Sequence, residues 1–476
     1  MSSVAVVGAG PNGLTAAAVA ARAGLNVTVY EANEAIGGAA RTQPLDGSAA
    51  SFDLGSAVHP MALQSTAFAE LGVLDKVDFI IPELSFAHVI DQRRTAYAWK
   101  DLDRTGEVLG PGDGAVYTRL LGPLVRRMDE LSGTLLSPLL KVPSHPATLA
   151  AFGAATVAGM GLKDLASTRF AKAAALYSGC AAHVAGGQRG PANAGAGLFL
   201  AAAAHSRGWP IPRGGSQAIS NALAEETTSR GGVIRTGVRI ESLDELAEET
   251  VLLDTSAETA ARIAGPRIPD KLSAALHGVR RSPGSCVVHF VLGAPVPWRD
   301  PVLARTGTVH LGGTAGTIGR AERLARTATP QEPFVILSQP SLFDDSRAPA
   351  GQQVVWAYCH VPLHSSADMQ QEISSMIEAA APGFRDLILE SHVVSAQGLE
   401  RQNAALVGGD ISGGSMDLLG SVRRPVLSRD PWYLRSKGLY LISSAVPPGP
   451  SVHGMGGYLG ALSMLRREYG VRQTPA

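Results

Sequence analysis

Cysteine is scarce in this chain: three residues, at 180, 286 and 359, in a length of 476. No two stand close enough in sequence to form a CxxC pair. That argues against a disulfide framework, a Cys-based zinc site and the paired redox cysteines of a disulfide reductase. The three are expected to be small buried apolar side chains. A surplus of one charge is also missing, since Lys+Arg and Asp+Glu each number 41. A neutral chain has no electrostatic reason to meet nucleic acid, so none is expected as a partner. No apolar run reaches the roughly 18 to 20 residues of a membrane span. The start, Met1-Ser2-Ser3 running directly into Val4, has neither the basic region nor the cleavage site of a secretory signal. These absences point to a cytoplasmic location. No HxxH or His/carboxylate spacing suggests a metal.

Apolar material is plentiful, with 45% hydrophobic and only 17% charged residues. A chain of 476 residues is too long for one hydrophobic core and implies two or three domains. The stretch nearest to a membrane span is Ala/Gly-rich, residues 146–162, between His145 and Lys163. It reads as a core helix. The alternative is a helix in peripheral contact with a membrane, or one lining the mouth of an apolar tunnel.

The first forty residues carry the strongest pattern. Val4 to Val7 form a short apolar strand, Gly8-Ala9-Gly10-Pro11-Asn12-Gly13 a glycine turn, and Leu14 to about Ala23 a helix stopped by Gly24. A second strand, Val27 to Tyr30, ends at Glu31 with Ala32 beside it. This is a βαβ unit with GxGxxG at its first turn, and the full pattern is far more specific than the glycines alone. Gly8 allows the sharp turn, Gly10 lets a pyrophosphate approach the backbone, and Gly13 lets the helix pack close to the sheet. Pro11 and Asn12 lie on the same loop, where the helix N-terminus offers N–H groups to phosphate. Glu31 can accept from ribose hydroxyls and would repel a 2′-phosphate. Gly37-Gly38 and Arg41 follow at once. They supply a second close backbone approach and a guanidinium fork, which favours FAD over NAD.

Further along, Gly214-Gly215 opens a helix to about Ser229, followed by strands at 233–236 and 238–240 and a central strand at 251–254. Gly438 to Ser444 read as a buried strand with a polar tip. A Gly/Pro loop, residues 447–457, then leads into a helix from Tyr458 to about Glu468. A strand, a glycine loop and a helix make another anion-binding helix start.

These segments resemble the phytoene-desaturase-like FAD oxidoreductases of the amine oxidase superfamily. The branch closest in motif is named for pyridine nucleotide-disulfide oxidoreductase domains. The carrying motifs include VAVVGAGPNGL, YEANEAIGGAART, FDLGSAVHP, GWPIPRGGSQAISNALA and GLYLISSAVPPGPSVHGMGGYLGA, spread from residue 4 to residue 461. The resemblance implies an α/β fold in which a Rossmann-type FAD domain is assembled from residues 1–75, 205–262 and 420–476. A mixed sheet-and-helix substrate domain would be formed by 76–204 and 263–419. It also implies that the Val238 backbone meets the adenine, and that Ser444, Val452, Gly454 and Met455 approach the flavin. Relatives often carry an acidic residue where Ser443-Ser444 stand, so a hydroxyl or backbone contact must replace it. The glycine-rich stretch 312–319 lacks the GxGxxG spacing and reads as a loop opening a helix, not as a second dinucleotide site.

The substrate segments are apolar, so the expected partner is an apolar or weakly polar small molecule that gives a hydride to the flavin. Such a step needs position and a dry pocket more than an acid or base. His59 and His453 are the candidate catalytic residues, as proton relays, with a purely structural role as the alternative for each. Two other functions stay open at this point. One is a flavin-containing amine oxidase, although 5% aromatic residues leave little for an aromatic cage. The other is a non-catalytic prenyl- or lipid-binding protein on the same scaffold. Oligomeric state is not legible.

Overall fold

A computed structural model describes every residue except 1–2, 138–139, 141–142, 166–169, 187–189, 418–419, 421–422 and 472–476. Two sheets organise it. Their strands, in chain order, are β1 (Ser3–Val7), β2 (Asn26–Tyr30), β3 (Leu84–Val89), β4 (Thr95–Trp99), β5 (Val233–Arg235), β6 (Thr250–Leu253), β7 (Gly284–Leu292), β8 (Thr308–Leu311), β9 (Val335–Ser338), β10 (Gln353–Val361), β11 (Ile388–Val394) and β12 (Leu439–Leu441). The helices that matter for the site are α1 (Pro11–Arg22), α2 (Pro146–Leu165), α3 (Ala171–Ala181), α4 (Gln217–Thr228), α5 (Ala257–Ala264), α6 (Ala315–Leu324), α7 (Gln370–Ala380), α8 (Ala396–Gln402) and α9 (Met455–Glu468).

The first sheet is all parallel, in the order β12-β6-β1-β2-β5. Parallel strands need both faces covered, and Val4 to Val6 and Val251 to Leu253 are accordingly almost fully buried. The strand order reverses direction between β1 and β6, which makes the crevice at their carboxyl ends the topological switch point. α1 crosses this sheet with a nearly continuous run of alanines, and it packs against α4 and α9. The second sheet runs β11-β7-β10-β9-β8-β3-β4 and is antiparallel except where β8 meets β3. One of its faces (Cys286, Val288 and Phe290 of β7, with Ala357 and Cys359 of β10) packs on Ile373 and Ile377 of α7. The other face turns toward the α8 region, where Val287, Ile336, Trp356 and Tyr358 cluster with Leu399, Leu406 and Ile411.

Several expectations need correction. Residues 238–240 form no strand, because the chain leaves β5 at Arg235 and turns through Gly237. β12 is three residues long and ends before Ser443. α9 begins at Met455, three residues before Tyr458, because Gly454 adopts a left-handed φ of 65° that caps it. α2 is a surface helix and not a core one: Thr156 and Leu162 face inward while Val157 is 71% exposed. No helix among the described residues is long and apolar enough to cross a membrane.

Candidate active site and cofactor cradle

Three glycine loops from distant parts of the chain meet at the start of α1. The Gly37 amide donates to the Ala9 carbonyl at 2.8 Å. A Cβ placed on Gly38 would lie 3.1 Å from the Gly10 Cα. The Gly457 amide donates to Asn12 Oδ1 at 3.3 Å, across 445 positions of sequence. A Cβ on Gly457 would collide with the Asn12 carbonyl oxygen, so α9 can approach this closely only through glycine. Gly8, Gly10 and Pro11 keep partial solvent access, which leaves the crevice side of the loop open.

Glu31 ties this loop to the second strand. Its Oε2 accepts from the Ala9 amide at 2.8 Å, and its Oε1 accepts from both nitrogens of Asn33 at 2.8 and 2.9 Å. The carboxylate therefore shapes the loop first, and its remaining lone pairs are what a ribose could use. Ala32 beside it is half-buried. Val238 departs from its expected role in one respect: its amide already donates to the Glu31 carbonyl at 2.8 Å, leaving only the carbonyl for an adenine. Arg41 is buried, its Nε has no partner, and it makes no ion pair among the described residues. Burial pushes its pKa down, with Glu31 acting weakly in the other direction. A buried cation without an anion is costly. A guanidinium with an unpartnered Nε, following the Gly37-Gly38 loop and within electrostatic reach of Glu31, fits the diphosphate of a dinucleotide.

In the C-terminal loop, the first-turn amides of α9 are partly taken. Met455 N donates to His453 Nδ1 at 3.1 Å and Gly457 N to Asn12, leaving Gly456 as the free donor of that turn among the described residues. Since Nδ1 accepts, the neutral His453 ring carries its proton on Nε2, and burial lowers its pKa to about 4. Ser65 Oγ donates to the His453 carbonyl, which anchors the loop to the first segment. Val452 and Ser444 are half-buried at the loop's edge. The Ser444 carbonyl accepts from Arg424 Nε at 2.8 Å. Ser443 Oγ accepts from the Ala445 amide at 3.3 Å.

His59 sits in a separate knot. Its Nε2 lies 2.7 Å from Ser216 Oγ, whose own proton goes to the Ser56 carbonyl, so Nε2 must be the donor. Ser216 N in turn donates to Asp53 Oδ1 at 2.8 Å, and Asp53 pairs with the buried Arg347. Burial lowers His59 to about pKa 4, against the opposing pull of Asp53. Both candidate histidines are thus neutral near pH 7, and each has a structural task.

Segment 403–414 links the α8-facing side of the second sheet to the cradle. A Cβ on Gly38 would meet Asn403 Nδ2 at 3.7 Å, and Gly413 lies against the Ser444 side chain. Register places His289, Trp356, Ser338 and Thr308 in one row across that side, and Tyr358, Ile336, His310 and His88 in the next. Burial lowers His88 to about pKa 4 and His289 to about 3, and holds His310 well below the ordinary value. Trp356 Nε1, both nitrogens of His289, Ser285 Oγ and Thr308 Oγ1 are buried without hydrogen-bond partners among the described residues. Two carboxylates act at this side: Asp53, paired with Arg347, is felt by His289, and Glu322 of α6 is 2.9 Å from His360 Nδ1.

The sequence profile of the flavin-containing amine oxidoreductases matches residues 12–361. The chain belongs to that family. It is 25% identical over 547 aligned positions to mouse (Mus musculus) pyridine nucleotide-disulfide oxidoreductase domain-containing protein 2, covering 95% of this chain and 91% of that one. The rat (Rattus norvegicus) protein of the same name matches at 26% over 289 residues, 52% of this chain and half (50%) of its own length. Among solved structures, an oxidoreductase from Methanosarcina mazei superposes with TM-score 0.57 at 15% identity, covering 98% of this chain and 100% of that one. A putrescine oxidase variant gives TM-score 0.58 at 18% identity, covering 98% and 99%.

As a member of this family the protein is an FAD-dependent oxidoreductase, and the non-catalytic carrier reading is set aside. Arg41, the α1 start, Glu31 and the Gly456 amide are the residues suited to hold FAD. Cys286 and Cys359, far apart in sequence, stand opposite one another on β7 and β10. Both are free and buried, and burial raises both thiol pKa values, so neither offers the thiolate that disulfide exchange needs. Sequence reasoning missed Asp254, Arg424 and the polar side of the second sheet. None has a motif, and each acquires its neighbours only through the fold.

Proposed function

We propose that this flavoenzyme is of the dehydrogenase or desaturase type, and removes a hydride from an apolar or weakly polar small molecule. Bound FAD supplies the hydride acceptor. The chain's own part is to hold the cofactor, exclude water and present an uncharged wall. The supporting observation is the row of neutral, buried and unpartnered groups headed by His289 and Trp356. Buried polar atoms without partners call for water or ligand. A wall of indole, imidazole and hydroxyl groups suits a substrate with one or two hydrogen-bonding atoms on an apolar frame. His59 and His453 serve this reading as loop-holding residues, because their rings are tied to Ser216 and to the Met455 amide.

Trp356 and Tyr358 also favour a second reading. Their ring centroids are 5.0 Å apart, so the two rings touch and form one continuous aromatic surface against which a neutral amine could rest. The two readings separate in one assay. Holoprotein is mixed without oxygen with panels of alcohols, saturated or partly saturated hydrocarbons bearing one polar group, and amines, while flavin absorbance is followed. Bleaching by the first two panels supports dehydrogenation or desaturation. Bleaching by amines alone, with peroxide released on admitting air, replaces it with amine oxidation.

A further inference from the structure

Asp254 directly follows β6, and its amide donates to the Val7 carbonyl at 2.8 Å, so the side chain stands at the switch point between β1 and β6. Its Oδ2 accepts from the Gly13 amide at 2.8 Å, and a Cβ on Gly10 would lie 2.8 Å from the same oxygen. The acid therefore occupies one flank of the helix start that a dinucleotide diphosphate requires. It keeps partial solvent access there. Glu31, at the end of β2, is the charged group acting on it. Around it β1 and the α1 loop present amides. Arg41 acts on Glu31, Glu258 of α5 pairs with Arg281, and Tyr440 of β12 is bonded to Glu468. No cation neutralises Asp254 among the described residues.

We propose that Asp254 is a cofactor-binding residue that enters the FAD complex as the neutral acid, so that capture of FAD takes up one proton. A carboxylate accepts hydrogen bonds only and would repel the diphosphate. The acid keeps the Gly13 bond through one oxygen and gains an O–H donor on the other. Burial, opposed by the Gly13 and Gly10 amides and reinforced by Glu31, already raises its pKa to about 7. Added phosphate charge raises it further. Because the complex binds the proton more tightly than the free protein, affinity is full below about pH 7 and falls by up to about tenfold per unit above it.

The test is FAD titration of the stripped protein by flavin fluorescence, from about pH 6 to about pH 9, with calorimetry near pH 8 in two buffers of different ionisation heat. The expected result is a dissociation constant that climbs toward tenfold per pH unit above neutrality, with close to one proton taken up per FAD. Asp254→Asn keeps the acceptor for Gly13 but cannot titrate. Its binding should be flat with pH, show no proton uptake, and be tighter than the parent's near pH 9. A flat parent, an absence of uptake, or a slope that survives in the Asn variant overturns the proposal. Proton uptake by the parent decides the matter even if the variant does not fold. The inference rests on the FAD cradle: protein that binds no flavin at any pH overturns both, whereas pH-independent binding overturns this one alone.

Discussion

Arg41 carries a charge into a buried place with no carboxylate in contact among the described residues, an arrangement that is unfavourable until an anion arrives. Replacing it with methionine should therefore act in two directions. The flavin-free protein should melt at an equal or higher temperature, because an uncompensated cation is gone. FAD affinity should fall by at least about tenfold, or about 1.4 kcal/mol. Thermal denaturation and flavin titration check the two halves separately, and an Arg41→Met protein that binds FAD normally would remove the residue from the cradle. Arg41 was legible in the sequence because it follows a glycine pair at fixed spacing. Asp254 was not, since its meaning comes from Gly13, 241 positions away, brought together by the β1–β6 pairing.

At the scale of elements, the cradle depends on how closely α1 and α9 cross. Gly457 lies against the Asn12 carbonyl, with no room for a methyl group. Gly457→Ala should force the helices apart, lowering stability by about 1–3 kcal/mol and weakening FAD binding with it. Urea denaturation with and without FAD would show both effects, and an unchanged midpoint would contradict the described crossing. Element positions in the first sheet were readable because strand, glycine turn and helix follow one another locally. β1 and α1 fall within a few residues of their expected places. The second sheet was opaque. Its inner strands β7 to β10 are buried on both faces, so alternation is lost there, and the row of His289, Trp356, Ser338 and Thr308 exists only through strand pairing. Likewise, α2 has the composition of a core helix but lies on the surface, because its small residues carry no charge to mark which side is wet.

For the whole molecule, buried histidines set the acid limit. His59, His88, His205 and His453 are lowered to about pKa 4, and His183 and His289 to about 3, each chiefly by burial. The unfolded chain therefore binds more protons than the folded one from about pH 6.5 down to these values. Their contribution to stability is intact above about pH 6.5. It is lost as pH falls, by up to about 1.4 kcal/mol per pH unit for each ring. Asp254 and Asp410, whose carboxyl pKa values burial raises, act in the opposite sense, but they are two groups against six rings. The melting temperature should be level from about pH 7 to 8 and drop steeply between about pH 6 and 5. A transition independent of pH across that window would mean that these rings are not buried as described.

The central claim is that loops from the two ends of the chain build one flavin site. The visible absorption spectrum of the purified protein, before and after adding FAD, tests it most directly. The expected result is flavin bands near roughly 375 and 450 nm that stay with the protein through gel filtration, at one FAD per chain, and bleach with dithionite. A colourless protein that leaves added FAD in the small-molecule fraction would contradict it.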